Sequence, residues 1–360
     1  MLEAMSQIDD FEEYKKLGEP EKLEKSGIWQ TAIGLQQVDN LKPSEYLIKT
    51  AKQNIDGEIS IHEAKDRINT YYKTQQAKSP EDRTEEADKV AVRIAEVLSE
   101  KTFSFSPVEY FTIHSRLFKG LLNDNIVGRV RDYNIEKAEP VLNGQTVVYG
   151  SASSIADALD YDFNQEKKFK YEGLNNRDKV EHIAKFTSSV WQIHAFGEGN
   201  TRATAVFIIK YLRTLGFKVE NDLFAEHSLY FRNALVRANY DDLENGVYKT
   251  NEYLFKFFRN LIFEENNVLK NQDLQVVIGV NTRKTTPITQ KSSKKGSKKS
   301  SEKIIAVIKE NPNTTLQEMA DSVGLSVAGV RKNLDKLRKA GEIRRVGPDK
   351  GGHWEVKERG

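Results

Sequence analysis

The sequence predicts a mainly α-helical protein: a helical core with one short β-hairpin, preceded by a small helical segment and followed by a small unit of three helices and a hairpin. Three observations carry this. Helical patterns, with apolar residues at i, i+3, i+4 spacing, recur through most of residues 85–266. Within the core, an alternating pattern around a turn signal stands out at "EPVLNGQTVVYGS", residues 139–151, where Asn143-Gly144 lies between β-prone residues. The stretch "TRKTTPITQKSSKKGSKKSS", residues 282–301, has almost nothing to bury and reads as a solvated basic linker.

Bulk properties narrow the class. At 360 residues, two or three domains are expected, and 38% hydrophobic content is enough for real cores. No run approaches the roughly 18 apolar residues of a membrane span. The acidic start "MLEAMSQIDDFEEYKK" lacks the basic-then-apolar plan of a signal peptide. With no cysteine, disulfides and thiolate metal sites are excluded, and a cytoplasmic location is expected. The net charge of +2 hides an asymmetry: from Asn281 onward there are 19 basic and 9 acidic residues, against 36 and 44 before it. An acidic body joined to a basic tail points to nucleic-acid contact at one end.

In chain order, residues 1–75 form the small helical segment, separated from the core by the polar stretch "KTQQAKSPEDRTEE", residues 73–86, with Pro80. The core, residues 85–275, opens with the helices "EEADKVAVRIAEVLSE" and "SPVEYFTIHSRLFKGLL", the second with a Ser-Pro start. After the hairpin comes "RDKVEHIAKFTSSVWQI", then "TRATAVFIIKYLRTLG", which stops at Gly216. The latter is apolar almost all round, so it is expected to be the central buried helix. "SLYFRNALVRANY" and "TNEYLFKFFRNLIFEE" complete the core.

Between the third and fourth of these core helices lies "HAFGEGNTR", residues 194–202. A helix that starts after a glycine-rich turn offers free N–H groups and the positive end of its dipole, an anion site. Gly197 and Gly199 let the backbone approach a phosphate chain, and Asn200 and Arg202 add donors. Glu198 among them makes sense if a cation sits between it and the phosphates, and Mg²⁺ is commonly held by one carboxylate plus phosphate oxygens and water. His194 at the rim is a candidate base for an attacking hydroxyl. The five other histidines, His62, His114, His182, His227 and His353, show no metal-ligand spacing and are expected to be structural or exposed.

These nine residues closely resemble the Fic motif, H-x-F-x-(D/E)-G-N-(G/K)-R, with Thr201 at the one departure. The resemblance extends over roughly residues 85–270, including "GRVRDYNI" and "YFRNALVRANYDD". It implies transfer of AMP from ATP to a hydroxyl of a target protein. By that resemblance His194 is the general base, Phe196 anchors the loop, and Glu198 holds Mg²⁺. Gly197, Gly199, Asn200, Thr201 and Arg202 bind nucleotide. The hairpin matches the family's flap, with Gln145, Thr146 and Val147 aligning the target by strand addition. Many family members carry a second Arg three residues after the first to grip the γ-phosphate; here that position is Ala205. Losing it removes one charge-assisted bond, about 1.5–3 kcal/mol, and leaves the nucleotide and the transferred group open.

Residues 31–72 resemble the small antitoxin of Fic toxin–antitoxin pairs. Its inhibitory motif, (S/T)-x-x-x-E-(G/N), is best matched by "LQQVDN", residues 35–40, with Leu35 in place of the hydroxyl residue, Asp39 in place of Glu, and Asn40. With Ala205 where the arginine partner would be, the expectation is that Asp39 forms no salt bridge and the inhibitory device is lost or rebuilt.

The tail from Ser301 has helices at about 302–310, at "LQEMADSV" capped by Thr314 or Thr315, and at "VAGVRKNLDKLRKAG" after Ser326. "EIRRVGPDKGGHWEV" then alternates around a Pro/Gly tip. Residues 302–358 thereby resemble a winged-helix domain, with Arg331, Lys332, Lys336 and Arg344 as candidate DNA contacts. The expected partners are ATP, a target protein with a Ser, Thr or Tyr hydroxyl, duplex DNA, and a second copy of the chain as a homodimer, with no membrane. The rival reading is a DNA-binding regulator whose core senses nucleotide and catalyses little.

Overall fold

The computed structural model describes residues 11–74, 83–219 and 223–276, and in the tail 303–309, 311–312, 314–316, 318–319, 330, 333–334, 336–338, 341–346 and 353–356. The chain divides into two compact units, Met1–Val280 and Asn281–Gly360.

In the first unit, α1 (Glu12–Leu17) stops at Gly18, whose φ of 68° suits a residue without Cβ. Pro20, at the first turn, starts α2 (Pro20–Gly34). This helix runs into a 3-10 turn, Leu35–Asp39, that ends at Asn40 in the left-handed region, φ 56°. Gly34 is required by close packing: a Cβ there would lie 2.2 Å from the Ala225 Cα. The Ser228 hydroxyl donates to the Gly34 carbonyl at 2.7 Å. α3 (Glu45–Ile55) is capped by Ser44, whose hydroxyl accepts from the Leu47 N–H at 3.1 Å. α4 (Ile61–Thr74) follows a turn at Gly57 and begins with a reciprocal Ser60–Glu63 cap.

α2 and α4 pack on α5 (Thr84–Ser99), the first helix of the core. The described residues of the N-terminal segment and of the core therefore share one continuous apolar cluster, in which Trp29, Leu47, Ile94 and Phe207 all take part. α6 (Pro107–Phe118) starts at Ser106-Pro107 with the serine as cap. α7 (Ile155–Lys168) has no counterpart in the sequence reading. Its Glu166 carboxylate accepts from Tyr171, Tyr211 and His182, each at 2.6 Å. α8 (Asn176–Ile193) leads into the motif, and α9 (Asn200–Thr214) leaves it. Every residue of α9 from Asn200 to Leu212 is buried, as its all-round apolar pattern requires. Its one buried lysine, Lys210, donates to the carbonyls of Val97 (2.8 Å) and Glu100 (2.7 Å), closing the end of α5. α10 (Leu223–Ala238) and α11 (Glu252–Phe263) complete the unit.

The segment at 139–150 differs from the expected hairpin. The Asn143-Gly144 turn forms, with φ of 55° and 86°. Pro140, however, has no N–H for a ladder and instead starts a short 3-10 turn, Pro140–Leu142. The Glu139 N–H still donates to the Gln145 carbonyl at 2.9 Å, but the flanking residues are extended without becoming strands. The outgoing arm is held by α8 instead: Gly150 N–H donates to Gln192 O, and Gln192 Nε2 to Val148 O, both at 3.1 Å.

In the second unit, residues 303–309 are helical, and Thr315 and Glu318 cap each other. β1 (Ile343–Val346) and β2 (His353–Val356) pair antiparallel, with Ile343 opposite Val356. Its core holds Ile304, Ile308, Met319, Val330, Leu334, Leu337, Ile343 and Trp354. The linker and Ser326 lie outside the described residues.

The Gly34 contact yields a test. Gly34→Ala forces α2 off α10, and overpacking of this kind costs roughly 1–3 kcal/mol. Urea titration should show a lowered midpoint with an unchanged slope; an unchanged midpoint would mean the two helices are not in contact.

Candidate active site

His194 ends α8 with φ of 52°, a left-handed turn that swings its side chain out of the helix line. Its Nδ1 lies 3.3 Å from the Trp191 carbonyl. A carbonyl can only accept, so Nδ1 carries the proton and Nε2 keeps its lone pair. The rings of Tyr149 and Trp191 stand against the imidazole at 4.1 and 5.4 Å between centroids. Burial first, and the Lys137 charge second, push its pKa down to about 3. His194 is thus a neutral base at ordinary pH.

Arg131, within the quoted "GRVRDYNI", is the loop's organiser, and composition alone does not reveal that role. Its Nε donates to the His194 carbonyl (2.7 Å) and its terminal nitrogens to the carbonyls of Tyr133, Gly150 and Ile193. Four carbonyls satisfy one buried guanidinium and join the motif loop to the arm carrying Tyr149. On the other side, Phe196 is fully buried and stacks on His114 at 3.8 Å. The Gly128 N–H donates to His114 Nδ1, so Nε2 donates to the Glu198 carbonyl, both at 2.9 Å. Burial holds His114 down at about 4. His114 is a neutral strut under the loop.

The two glycines are packing requirements as well. A Cβ on Gly197 would meet the Tyr133 hydroxyl at 2.6 Å, and one on Gly199 would meet the Phe118 ring at 2.4 Å, with φ already at 76°. No side chain caps the start of α9 at Gly199, so its first N–H groups face the mouth of the loop. Asn200 and Thr201 turn inward. The Asn200 amide accepts from Phe196 N–H (3.0 Å) and donates to Phe196 O (2.8 Å), and Thr201 accepts from Trp191 Nε1 at 3.0 Å. Their side chains shape the loop, leaving backbone and Arg202 to face an anion.

Arg202 is fully buried and already paired. Its Nη2 lies 2.9 Å from Asp39 and 2.8 Å from Glu86, and Nη1 donates to Gln36 Oε1 at 3.2 Å. Its Nε has no partner. The expectation that Asp39 stands alone is therefore wrong. Ala205 removes one arginine, but the 3-10 turn at the end of α2 carries Asp39 to the first turn of α9, where Arg202 is within reach. Asn40 is exposed and serves the left-handed stop of that turn. Glu86, on α5, was not singled out in the sequence; nothing in its local pattern sets it apart from neighbouring helix-surface acids.

Glu198 is 42% exposed, and its Oε1 accepts from Arg83 Nη2 at 2.9 Å. Among the described residues no three His, Cys, Asp or Glu side chains gather as a metal site. One half-exposed carboxylate at the open start of a helix, once released from Arg83, fits a hard cation that takes most of its ligands from phosphate and water. Of the flap residues, Gln145 is exposed, Thr146 partly buried and Val147 buried, while the neighbouring Val148 is 80% exposed. In the second unit Lys336 and Arg344 are exposed, Arg344 paired with Glu355 at 2.7 Å. Arg331 and Lys332 lie outside the described residues.

Comparison with known proteins bears on two stretches. Residues 104–212 match the profile of the Fic/DOC family, and residues 298–344 that of winged helix-turn-helix DNA-binding domains. No curated protein matches the chain. Among solved structures, a Fic family protein from Desulfovibrio desulfuricans G20 aligns over 100% of this chain and 96% of its own, at 14% identity and a TM-score of 0.44. The N-terminal Fic domain of a Bartonella effector protein from Bartonella sp. AR 15-3 aligns over 56% of this chain and 81% of its own, at 16% identity and a TM-score of 0.35.

Two buried neutral histidines set a pH signature. Their folded pKa values lie below the unfolded value near 6.5, so the unfolded chain binds protons more readily. Their contribution to stability is complete above about pH 6.5 and falls as pH drops toward 4 for His114 and 3 for His194. Ring NMR resonances of both should stay at their neutral positions from pH 8 down to 5; a titration midpoint near 6.5 at His194 would show it solvated.

Proposed function

We propose, from the match of residues 104–212 to the Fic/DOC family, that the protein transfers AMP from ATP to a Ser, Thr or Tyr hydroxyl of a target protein, with Mg²⁺, in the cytoplasm. The single observation that carries this reading is the neutral His194, its Nδ1 spent on the Trp191 carbonyl, at one end of the loop whose other end is the uncapped start of α9.

The steps follow from the residues present. The target segment pairs along residues 145–148, with exposed Val148 as its apolar contact. His194 Nε2 takes the hydroxyl proton as the oxygen attacks the α-phosphorus. The new O–P bond forms as the bond to the bridging oxygen breaks, and pyrophosphate leaves. The uncapped N–H groups of α9 and Arg202 hold the phosphates. Mg²⁺ on Glu198 would supply charge neutralisation of the phosphates. Phe196, His114 and Arg131 keep the loop in shape while this happens.

Arg202 cannot do this while Asp39 and Glu86 hold it, so the form described here is self-restrained. That occupancy, with Ala205, also favours the rival reading: a DNA-binding regulator whose core senses nucleotide. The winged helix-turn-helix match over 298–344 and the charge of the tail support duplex DNA as its partner.

His194→Ala should lower label transfer from α-labelled ATP by at least about a hundredfold while calorimetry finds nucleotide affinity unchanged; near wild-type transfer would remove His194 as base. Asp39→Gly should raise transfer, since one of two acids leaves Arg202; an unchanged rate would mean the ion pair does not restrain the enzyme. No transfer by the wild type or by Asp39→Gly, with nucleotide bound, would select the sensor.

Duplex DNA affinity of the full chain should fall steeply with salt. Charge reversal at Arg331 and Lys332 should weaken it more than reversal at Lys294 and Lys295. Equal losses in a fluorescence anisotropy titration would mean non-specific charge alone.

A further inference from the structure

Ala205 is fully buried in the second turn of α9, so that position offers no cation to a phosphate. A second guanidinium nonetheless stands at the mouth of the loop. It comes from Arg83, just ahead of α5 and far away in sequence. Arg83 Nη2 lies 2.9 Å from Glu198 Oε1 and 2.7 Å from Glu86 Oε2, and Arg83 Nε donates to Glu86 at 2.8 Å. Glu86 in turn holds Arg202, so the charges alternate from Asp39 through Arg202, Glu86 and Arg83 to Glu198. Burial works against the charge on Arg83, but Glu86, Glu198 and Asp39 outweigh it and keep the guanidinium ionised.

Resting on the nucleotide reading above, we propose that Arg83 is a phosphate-binding residue, supplying from the residue ahead of α5 the second arginine that α9 lacks at Ala205. The two guanidinia flank the first turn of α9: Arg202 from beneath, fully buried, and Arg83 from the open side, 37% exposed. Both are held by acids that a polyphosphate would replace as partners. Arg83 keeps solvent access, so it can exchange a carboxylate for a phosphate oxygen without unpacking the core. Its planar fork suits two oxygens of one phosphate. Because Arg83 meets Glu198 rather than the turn around His194, its contact belongs to the β/γ end of the chain and not to AMP.

Calorimetry on the full-length protein and on its Asp39→Gly variant, with Mg·ATP and separately with AMP, tests this. Arg83→Ala should weaken Mg·ATP binding roughly ten- to a hundredfold and leave AMP affinity unchanged, while Arg83→Lys recovers part of the loss. A merely structural role would lower both affinities together and the melting temperature with them. Tighter Mg·ATP binding in Arg83→Ala would overturn the proposal, making Arg83 a blocker of Glu198. Equal Mg·ATP affinity with and without Arg83 would also overturn it, leaving the nucleotide reading intact. Failure of ATP and AMP to bind either background would sink the nucleotide reading, and this inference with it.

Discussion

A fully buried guanidinium in the first turn of an otherwise apolar helix sets the terms for the surrounding structure. Arg202 cannot be left uncompensated, because breaking a buried ion pair by removing a partner costs about 3–5 kcal/mol. The compensation comes from two distant places, Asp39 at the end of α2 and Glu86 on α5. Bringing Asp39 there requires α2 to lie against α10 closely enough that only glycine fits at residue 34. The N-terminal helices are thus bound to the core by one charge cluster and by a shared apolar interior.

The motif loop illustrates how much scaffolding a few functional atoms need. Two neutral histidines do opposite jobs: His194 spends only Nδ1, on the Trp191 carbonyl, while both nitrogens of His114 are spent on backbone, at Gly128 and Glu198. Asn200 is likewise consumed within the loop. Arg131 satisfies four carbonyls that no secondary structure would pair, so the chain can turn sharply on both sides of His194 without leaving buried polar groups unmet.

In the proposed function, catalysis and restraint draw on the same side chains. Arg202 is both the phosphate donor of the proposed reaction and the anchor of Asp39, and Glu198 is both the proposed metal ligand and the acceptor of Arg83. Under the proposed function, nucleotide binding and opening of the cluster are coupled: whatever stabilises the closed ion pairs weakens the nucleotide.

By itself the sequence determined what depends on short-range pattern. The core helices other than α7, the buried character of α9, the caps at Ser106 and Thr315 and the nine-residue motif all follow from periodicity and turn chemistry within a few residues. The tertiary structure decided what depends on charges meeting across the fold. Asp39 and Arg202 are 163 positions apart, and Arg83 and Glu198 are 115. Local pattern carries no information about such pairs, since any helix surface offers many similar acids and bases. The same limit explains the flap, where Pro140 allowed the turn but left the ladder to be replaced by contacts from α8. Burial, not identity, selects which charges must find each other, and burial is a property of the assembled chain.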